Sequence, residues 1–164
     1  MIRKFRLEDR ERVMQIWLSA NLQAHGFIDP VYWKDQEEMV GEMISKADVA
    51  VYERGGVIQG LIGLSGQQIE GLFVDEKSRS QGIGRALLDF AKRKYPVLTL
   101  QVYEKNLRAV RFYQREGFSV REKQVDEQMG EAEYVMGWTK SDMGKVRGEA
   151  GGKEEEKMCI RDRV

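Results

Sequence analysis

Two stretches of this chain carry residue types at spacings that can do chemistry. The first is Arg79-Ser80-Gln81-Gly82-Ile83-Gly84-Arg85. Without a Cβ, Gly82 and Gly84 let the backbone come close to a ligand. A helix starting here would leave its first N–H groups without intrahelical acceptors, and its dipole would favour an anion. Arg79 and Arg85 add positive charge. These parts together make a cradle for a diphosphate. The loop is not a Walker loop, because Gly-Lys-Ser/Thr is missing, nor a full dinucleotide fingerprint, because Leu87 holds the third glycine position. On its own it also reads as a plain strand-to-helix turn.

The second stretch runs from Asn106 through Leu107, Arg108, Ala109, Val110, Arg111, Phe112, Tyr113, Gln114, Arg115 and Glu116 to Gly117-Phe118. Asn106 can cap a helix, and Ala109 permits close approach to a strand. Gly117 suits a left-handed C-terminal cap. Phe112 and Tyr113 are turned by ~100° from one another, so they cannot share one environment. Taken alone, Tyr113 reads as a core aromatic with its hydroxyl satisfied.

Other chemistry fares worse. One histidine and one cysteine exclude a disulfide framework and leave too few ligands for a structural zinc, so no metal is expected. Gly63-Leu64-Ser65-Gly66-Gln67 lacks the last glycine of a nucleophile elbow. Met14, Met39 and Met43 read as core fillers. Tyr32 and Trp33 either line an acceptor pocket or pack.

The elements that must position these residues follow from periodicity. Ile2 to Phe5 reads as a short strand. Val13, Ile16, Trp17 and Ala20 fall at helical spacing, with Glu8 and Asp9 at the helix's start. His25-Gly26-Phe27 breaks that helix and Pro30 opens the next, whose buried stripe is read as Met39, Val40, Met43 and Ile44. Three strands follow, around Val49 to Val51, Val57 to Leu64 and Ile69 to Val74, turning at Gly55-Gly56 and Ser65-Gly66. A helix with Leu87, Leu88, Phe90 and Ala91, the strand Val97 to Val102 and the helix Leu107 to Arg115 come next. Phe118 to Val125 and Glu133 to Thr139 pair as a closing hairpin. The order β-α-α-β-β-β-α-β-α-β-β predicts an α/β protein with a mixed sheet.

The 164 residues fit one domain. Lys+Arg and Asp+Glu are both 27, so no global field holds nucleic acid. The start, Met1-Ile2-Arg3-Lys4-Phe5-Arg6, has no apolar core of a secretory signal, and no run approaches the ~20 apolar residues that span a bilayer. A soluble, cytoplasmic protein without a membrane or nucleic-acid partner is expected. Residues 140–164 hold four glycines and 13 charged residues but no aromatic. They are expected to be a charged, Gly-rich tail, disordered or weakly helical. Its end, Met158-Cys159-Ile160-Arg161-Asp162-Arg163-Val164, resembles translated read-through foreign to the fold.

Read together, Arg79-x-x-Gly82-x-Gly84 and Asn106-x-x-Ala109-x-x-Phe112-Tyr113-x-x-x-Gly117-Phe118 resemble the GCN5-related N-acetyltransferase superfamily. The resemblance covers residues 1–139. The stretches His25-Gly26-Phe27-Ile28, Tyr32-Trp33 and Phe112-Tyr113 are most similar to its small bacterial members that modify peptide or protein lysines. The resemblance implies a splayed, mostly antiparallel sheet flanked by helices, with acetyl-CoA wedged between the strands at 69–74 and 97–102. Backbone groups of Leu72, Phe73 and Val74 would hold the pantetheine and the thioester carbonyl. Arg79 and the N–H groups between Ser80 and Arg85, including Gln81, Gly82, Ile83 and Gly84, would hold the pyrophosphate. Asn106 would contact the pantetheine arm, and Tyr113 would protonate the departing thiolate.

The acceptor would be a primary amine, such as a protein lysine or N-terminus. A lysine amine is neutral in about one molecule in 2,500 at pH 7, so a base or water relay helps it attack. Some family members carry glutamate as the base on the strand before the asparagine motif. This chain has Gln101 there, and an amide is no base. Glu70 is the first substitute and His25 the second, with a water relay as the third option. Two further functions stay open. A small-molecule amine acetyltransferase would use carboxylates such as Glu37, Glu38 and Glu42, and an acyl-CoA-binding sensor would be non-catalytic. The chain would act as a monomer or homodimer.

Overall fold

A computed structural model describes residues 1–142. The expected tail over 140–164 therefore lies, beyond Asp142, outside the described residues. The elements are β1 (Ile2–Lys4), α1 (Arg10–Ala24), α2 (Pro30–Lys46), β2 (Asp48–Arg54), β3 (Val57–Ser65), β4 (Gln68–Val74), α3 (Ile83–Lys94), β5 (Val97–Tyr103), α4 (Leu107–Arg115), β6 (Ser119–Asp126) and β7 (Glu131–Thr139). This is the order that the periodicity predicts.

Local signals set the helix boundaries. Asp29 accepts a hydrogen bond from the Val31 N–H at 3.0 Å, and Pro30 takes the first helical position of α2. Val13, Ile16, Trp17 and Ala20 of α1 are all buried, as expected. The stripe of α2 differs from the expected one. It consists of Trp33, Val40, Gly41 and Ile44, while Met39 is 42% exposed. Met39 neighbours Val40 in sequence but is turned ~100° around the helix, away from the sheet.

The strands form one seven-stranded sheet in the order β1-β2-β3-β4-β5-β7-β6. Every neighbouring pair is antiparallel except β4 and β5. One face packs against α3 and α4 through Leu72, Leu87, Leu100, Val110 and Met136, among others. The opposite face packs against α1 and α2 through Val13, Trp17, Val40, Leu61 and Phe73. Among the described residues no helix is long and apolar enough to cross a membrane.

An ion pair fastens the first strand to the first helix. The Arg3 guanidinium donates to both Asp9 carboxylate oxygens, at 2.9 and 3.0 Å, and the Arg6 N–H donates to Asp9 at 2.8 Å. Arg3 also donates to Glu53 at the end of β2. The Arg3 hydrogen bond chiefly, with the Arg6 N–H, holds the buried Asp9 carboxyl below its ordinary value despite desolvation. A carboxyl lowered in the folded state contributes stability above the unfolded value of ~3.9, and that contribution is lost as pH falls through the folded value. Asp9→Asn is therefore expected to lower stability by about 1–3 kcal/mol at pH 7. The deficit relative to wild type should shrink below about pH 4. Urea unfolding at both pH values checks this, and a pH-independent deficit would refute it.

Candidate active site

The site begins where the sheet stops being a sheet. β4 and β5 pair only at Gln68↔Thr99 and Ile69↔Leu100. The register of β3 against β4 jumps from Gly63↔Gly71 to Leu64↔Ile69, so Glu70 is the extra residue of a bulge. A bulge bends its strand and increases local twist. Beyond it, Gly71 to Val74 continue on β3 while β5 follows β7 as far as Tyr103↔Glu133. Leu72, Phe73 and Val74 thus have β3 on one side and no ladder to β5 on the other. The backbone groups on that side are available to a ligand.

The loop after β4 leads into the first turn of α3. Ser80 has φ +64° and Gly82 φ +81°, and Gly82 is the N-cap of α3. Left-handed residues at this spacing turn successive N–H groups toward a common concavity. A Cβ at Gly82 would meet no protein atom within 4 Å. Glycine is used there for its backbone conformation, with room left for a ligand. At Gly84 the constraint is space, since a Cβ would lie 3.3 Å from Phe112 Cζ. Phe112 therefore packs α4 onto the first turn of α3.

A cavity of about 560 Å³ opens over this loop, lined by Val74, Ser80, Gly82, Ile83 and Gly84. Five arginines share it: Arg79, Arg85, Arg108, Arg111 and Arg115. Burial, and then the nearby Arg108 charge, pushes the Arg79 guanidinium below its ordinary value. Gln81 does not line the cavity; its Oε1 accepts from Arg54 at 3.1 Å. The α4 arginines stand in the quoted motif at positions i, i+3 and i+7, a spacing that puts them on one helix side. That spacing was the available signal, and the sequence reading gave them no role.

α4 is fixed at both ends. Asn106 Oδ1 accepts from the Ala109 N–H at 3.3 Å, the expected cap. At the other end Gly117 has φ +98°, and the Phe118 N–H donates to the Tyr113 carbonyl at 2.9 Å. That is a Schellman closure. Lys92 donates to the Glu116 carbonyl at 2.6 Å and lies over the Trp138 ring, and burial pushes its amine below the ordinary value. Tyr113 is thereby held wholly buried, in edge contact with Phe112 and Phe118.

The two sequence-predicted base residues are both buried. Glu70 sits in the bulge at 5% exposure, so it does not simply face solvent. His25 is at the end of α1 and wholly buried. Its ring stacks on Trp33 and meets the edges of Phe27 and Tyr103. Its Nε2 lies 3.5 Å from Asn106 Nδ2, across 81 residues of sequence. Since Asn106 Oδ1 serves the helix cap, Nδ2 faces the ring and the nitrogen opposite it acts as acceptor. Tyr103 donates its hydroxyl to the buried Asp126 carboxylate at 2.7 Å. Sequence reasoning missed this pair, because the strand read there ends at Val102 and the alternation of Leu98, Leu100 and Val102 turns Tyr103 to the opposite face.

Residues 22–132 match the model of the acetyltransferase (GNAT) domain family. The peptidyl-lysine N-acetyltransferase YjaB of Escherichia coli is 37% identical over 121 residues, covering 73% of this chain and 82% of that protein. The peptidyl-lysine N-acetyltransferase YiaC of the same organism is 29% identical over 140 residues, covering 84% and 96%. The solution structure of apo YjaB from E. coli superposes with a TM-score of 0.77 at 30% identity, covering 84% and 96%. The chain therefore belongs to the GNAT acetyltransferase family. It is an enzyme that transfers an acetyl group from acetyl-CoA to an amine.

Gly82→Val tests the cradle. A β-branched residue at φ +81° is strained, and its side chain would fill the space left for the ligand. The acetyl-CoA Kd measured by calorimetry is expected to rise at least ~10-fold, with the α3 core intact by circular dichroism. An unchanged Kd would dissociate the loop from donor binding.

Proposed function

We propose that the acceptor is the ε-amine of a lysine in a peptide or protein, and that residues 1–139 form the catalytic unit. The observation that carries this reading is the chemistry on the α1/α2 face of the sheet beside the parted strands. Tyr103 and Glu133 are cross-strand partners and so share a face, and Tyr103 belongs to the α1/α2 core. Phe27, Tyr103 and Met129 supply apolar surface there, and the carboxylates of Asp126 and Glu133 stand beside them. A lysine presents a long apolar stem with a cationic head, which suits that mixture. The names of the YjaB and YiaC relatives support the same acceptor.

In this reading the cradle from Ser80 to Arg85, with Arg79, holds the pyrophosphate of acetyl-CoA. The exposed backbone edge of Leu72, Phe73 and Val74 receives the pantetheine and donates to the thioester carbonyl, where negative charge develops during attack. Bound acetyl-CoA supplies the acyl group and a thiolate leaving group. Asn106 lines the pantetheine arm. Glu70 accepts the proton of the attacking amine, with His25 as the second base. Tyr113 gives a proton to the departing sulfur. The donor implies a cytoplasmic location. Every residue named belongs to one chain, which is compatible with a monomer or a homodimer.

The small-molecule reading has less support. Of the three carboxylates expected for it, Glu37 lines a groove with Glu8 and Glu11, but Glu38 and Glu42 do not. That groove shares no residue with the donor cavity. Thiol release from acetyl-CoA with a lysine peptide, a polyamine and an aminoglycoside decides the acceptor. Turnover is expected with the peptide, and turnover only with the polyamine or aminoglycoside would overturn the reading.

Three substitutions test the roles. Tyr113→Phe keeps the ring and removes the hydroxyl. Turnover should fall ~100-fold, within the range for general acid catalysis, while the acetyl-CoA Kd stays within about threefold. Wild-type turnover would reduce Tyr113 to packing. Glu70→Gln should lose ~100-fold in the chemical step and displace the acidic limb of the pH profile. If Glu70→Gln and His25→Gln both keep wild-type rates between about pH 6 and 9, neither is the base and water relays the proton.

A further inference from the structure

A cation sits on the acceptor side of the sheet, away from the donor cavity. Lys105 stands in the loop between β5 and α4. Its ammonium lies 5.3 Å from the centroid of the Phe27 ring. The same ammonium is 3.2 Å from Glu131 Oε1 and 3.5 Å from Glu131 Oε2. Phe27 comes from the segment between α1 and α2, and Glu131 opens β7. One side chain therefore bridges two parts of the chain that are far apart in sequence.

The backbone beneath this side chain is fixed. The Glu104 N–H donates to the Ala132 carbonyl at 3.0 Å, and the Asn106 N–H to the Tyr103 carbonyl at 3.0 Å. The Glu104 carboxylate is engaged elsewhere, by Lys123 at 3.2 Å and the Tyr134 hydroxyl at 3.1 Å. The Lys105 side chain itself is 59% exposed. Its ammonium is thus placed, yet open to exchange. An exposed ion pair and an exposed cation–π contact each shift an equilibrium about two- to fivefold. That holds a tethered ammonium in place and still lets a second cation displace it.

The seat that Lys105 fills adjoins the surface assigned above to the acceptor. Phe27 meets Tyr103 edge-on, with ring centroids 5.5 Å apart. Tyr103 donates to Asp126, which is the cross-strand partner of Glu131. A ring face and a carboxylate favour a charged amine, whereas the attacking amine must be neutral. The seat therefore suits a neighbour of the target lysine and not the target itself.

Resting on the lysine-peptide reading above, we propose that Phe27 and Glu131 form a second acceptor subsite, which takes a basic side chain flanking the target lysine, and that Lys105 fills it when no acceptor is bound. An arginine suits this seat better than Lys105 does. Its planar guanidinium stacks on a ring and presents a fork to a carboxylate, while an ammonium is a point charge. Lys105 then acts as an internal competitor that sets how strongly the enzyme selects basic sequences.

Steady-state kinetics at saturating acetyl-CoA test this with two peptides that carry arginine or alanine beside the target lysine. The readout is the ratio of their KM values in the wild type, Lys105→Met and Lys105→Met/Glu131→Gln. Lys105→Met keeps the length of the stem and removes the charge. Lys105 is exposed and Glu131 half-buried, so the fold should survive, and thermal midpoints check that. The preference for the arginine peptide is expected to be about ~3- to 10-fold larger in Lys105→Met than in the wild type, the range of the two contacts released. The double variant should bring the two peptides within about twofold of each other. A preference that is the same in the wild type and Lys105→Met, or one that survives in the double variant, would overturn the subsite and leave the lysine-peptide reading standing. If the wild type turns over neither peptide, that reading fails and the subsite with it.

Discussion

The failure of β4 and β5 to stay paired is the constraint on which the rest of the molecule depends. Two residue pairs hold the strands together, and then Glu70 enters as an extra residue and the ladder ends. An open sheet interior would leave buried backbone donors and acceptors unmatched, which proteins avoid. The fold tolerates it because β3 secures β4 on one side and β7 secures β5 on the other. The wedge that results is a place inside the sheet where a ligand's polar groups can complete the ladder. α4 is anchored at both ends beside it, by Asn106 and by the Gly117 closure.

Electrostatics divides the molecule by function although the whole chain is neutral. Zero net charge excludes a global field, yet five guanidiniums gather at one cavity. On the other face, Asp126 and Glu133 are buried carboxylates beside Tyr103. Under the acceptor proposed above, an anionic donor and a cationic lysine would meet groups of opposite sign on the two faces of the sheet. Salt should therefore weaken donor capture more than it weakens the buried pairs, since exposed guanidiniums are screened and buried groups are not.

The elements were legible because their signals are local. Gly117 ends α4, Pro30 opens α2 and Asn106 caps α4 by chemistry that acts within a few residues. The strand-to-helix loop before α3 was legible for the same reason, since its glycines and helix start are contiguous. What the sequence could not give was pairing across distance. Periodicity alone does not say that β5 lies beside β4, a neighbourhood that came from the family resemblance, and no reading of the sequence put β7 beside β5. Nor does it say that a histidine after α1 reaches Asn106. Met39 was misassigned because a stripe read from residue types alone can be off by one residue, and one residue is ~100° of rotation.

His25 shows how a residue with a chemical reputation can be recruited by structure. Its ring is enclosed by Trp33, Phe27 and Tyr103, and its Nε2 faces the amide of Asn106. Asn106 in turn caps the helix that carries Tyr113. The packing of the imidazole links the α1–α2 loop to the start of α4. Whatever part His25 takes in proton transfer, this one ring touches both the α1–α2 loop and the residue that caps α4. A substitution there is then felt on both sides of the wedge, whereas Glu70, lying in the bulge itself, can change the chemistry with the helices left in place.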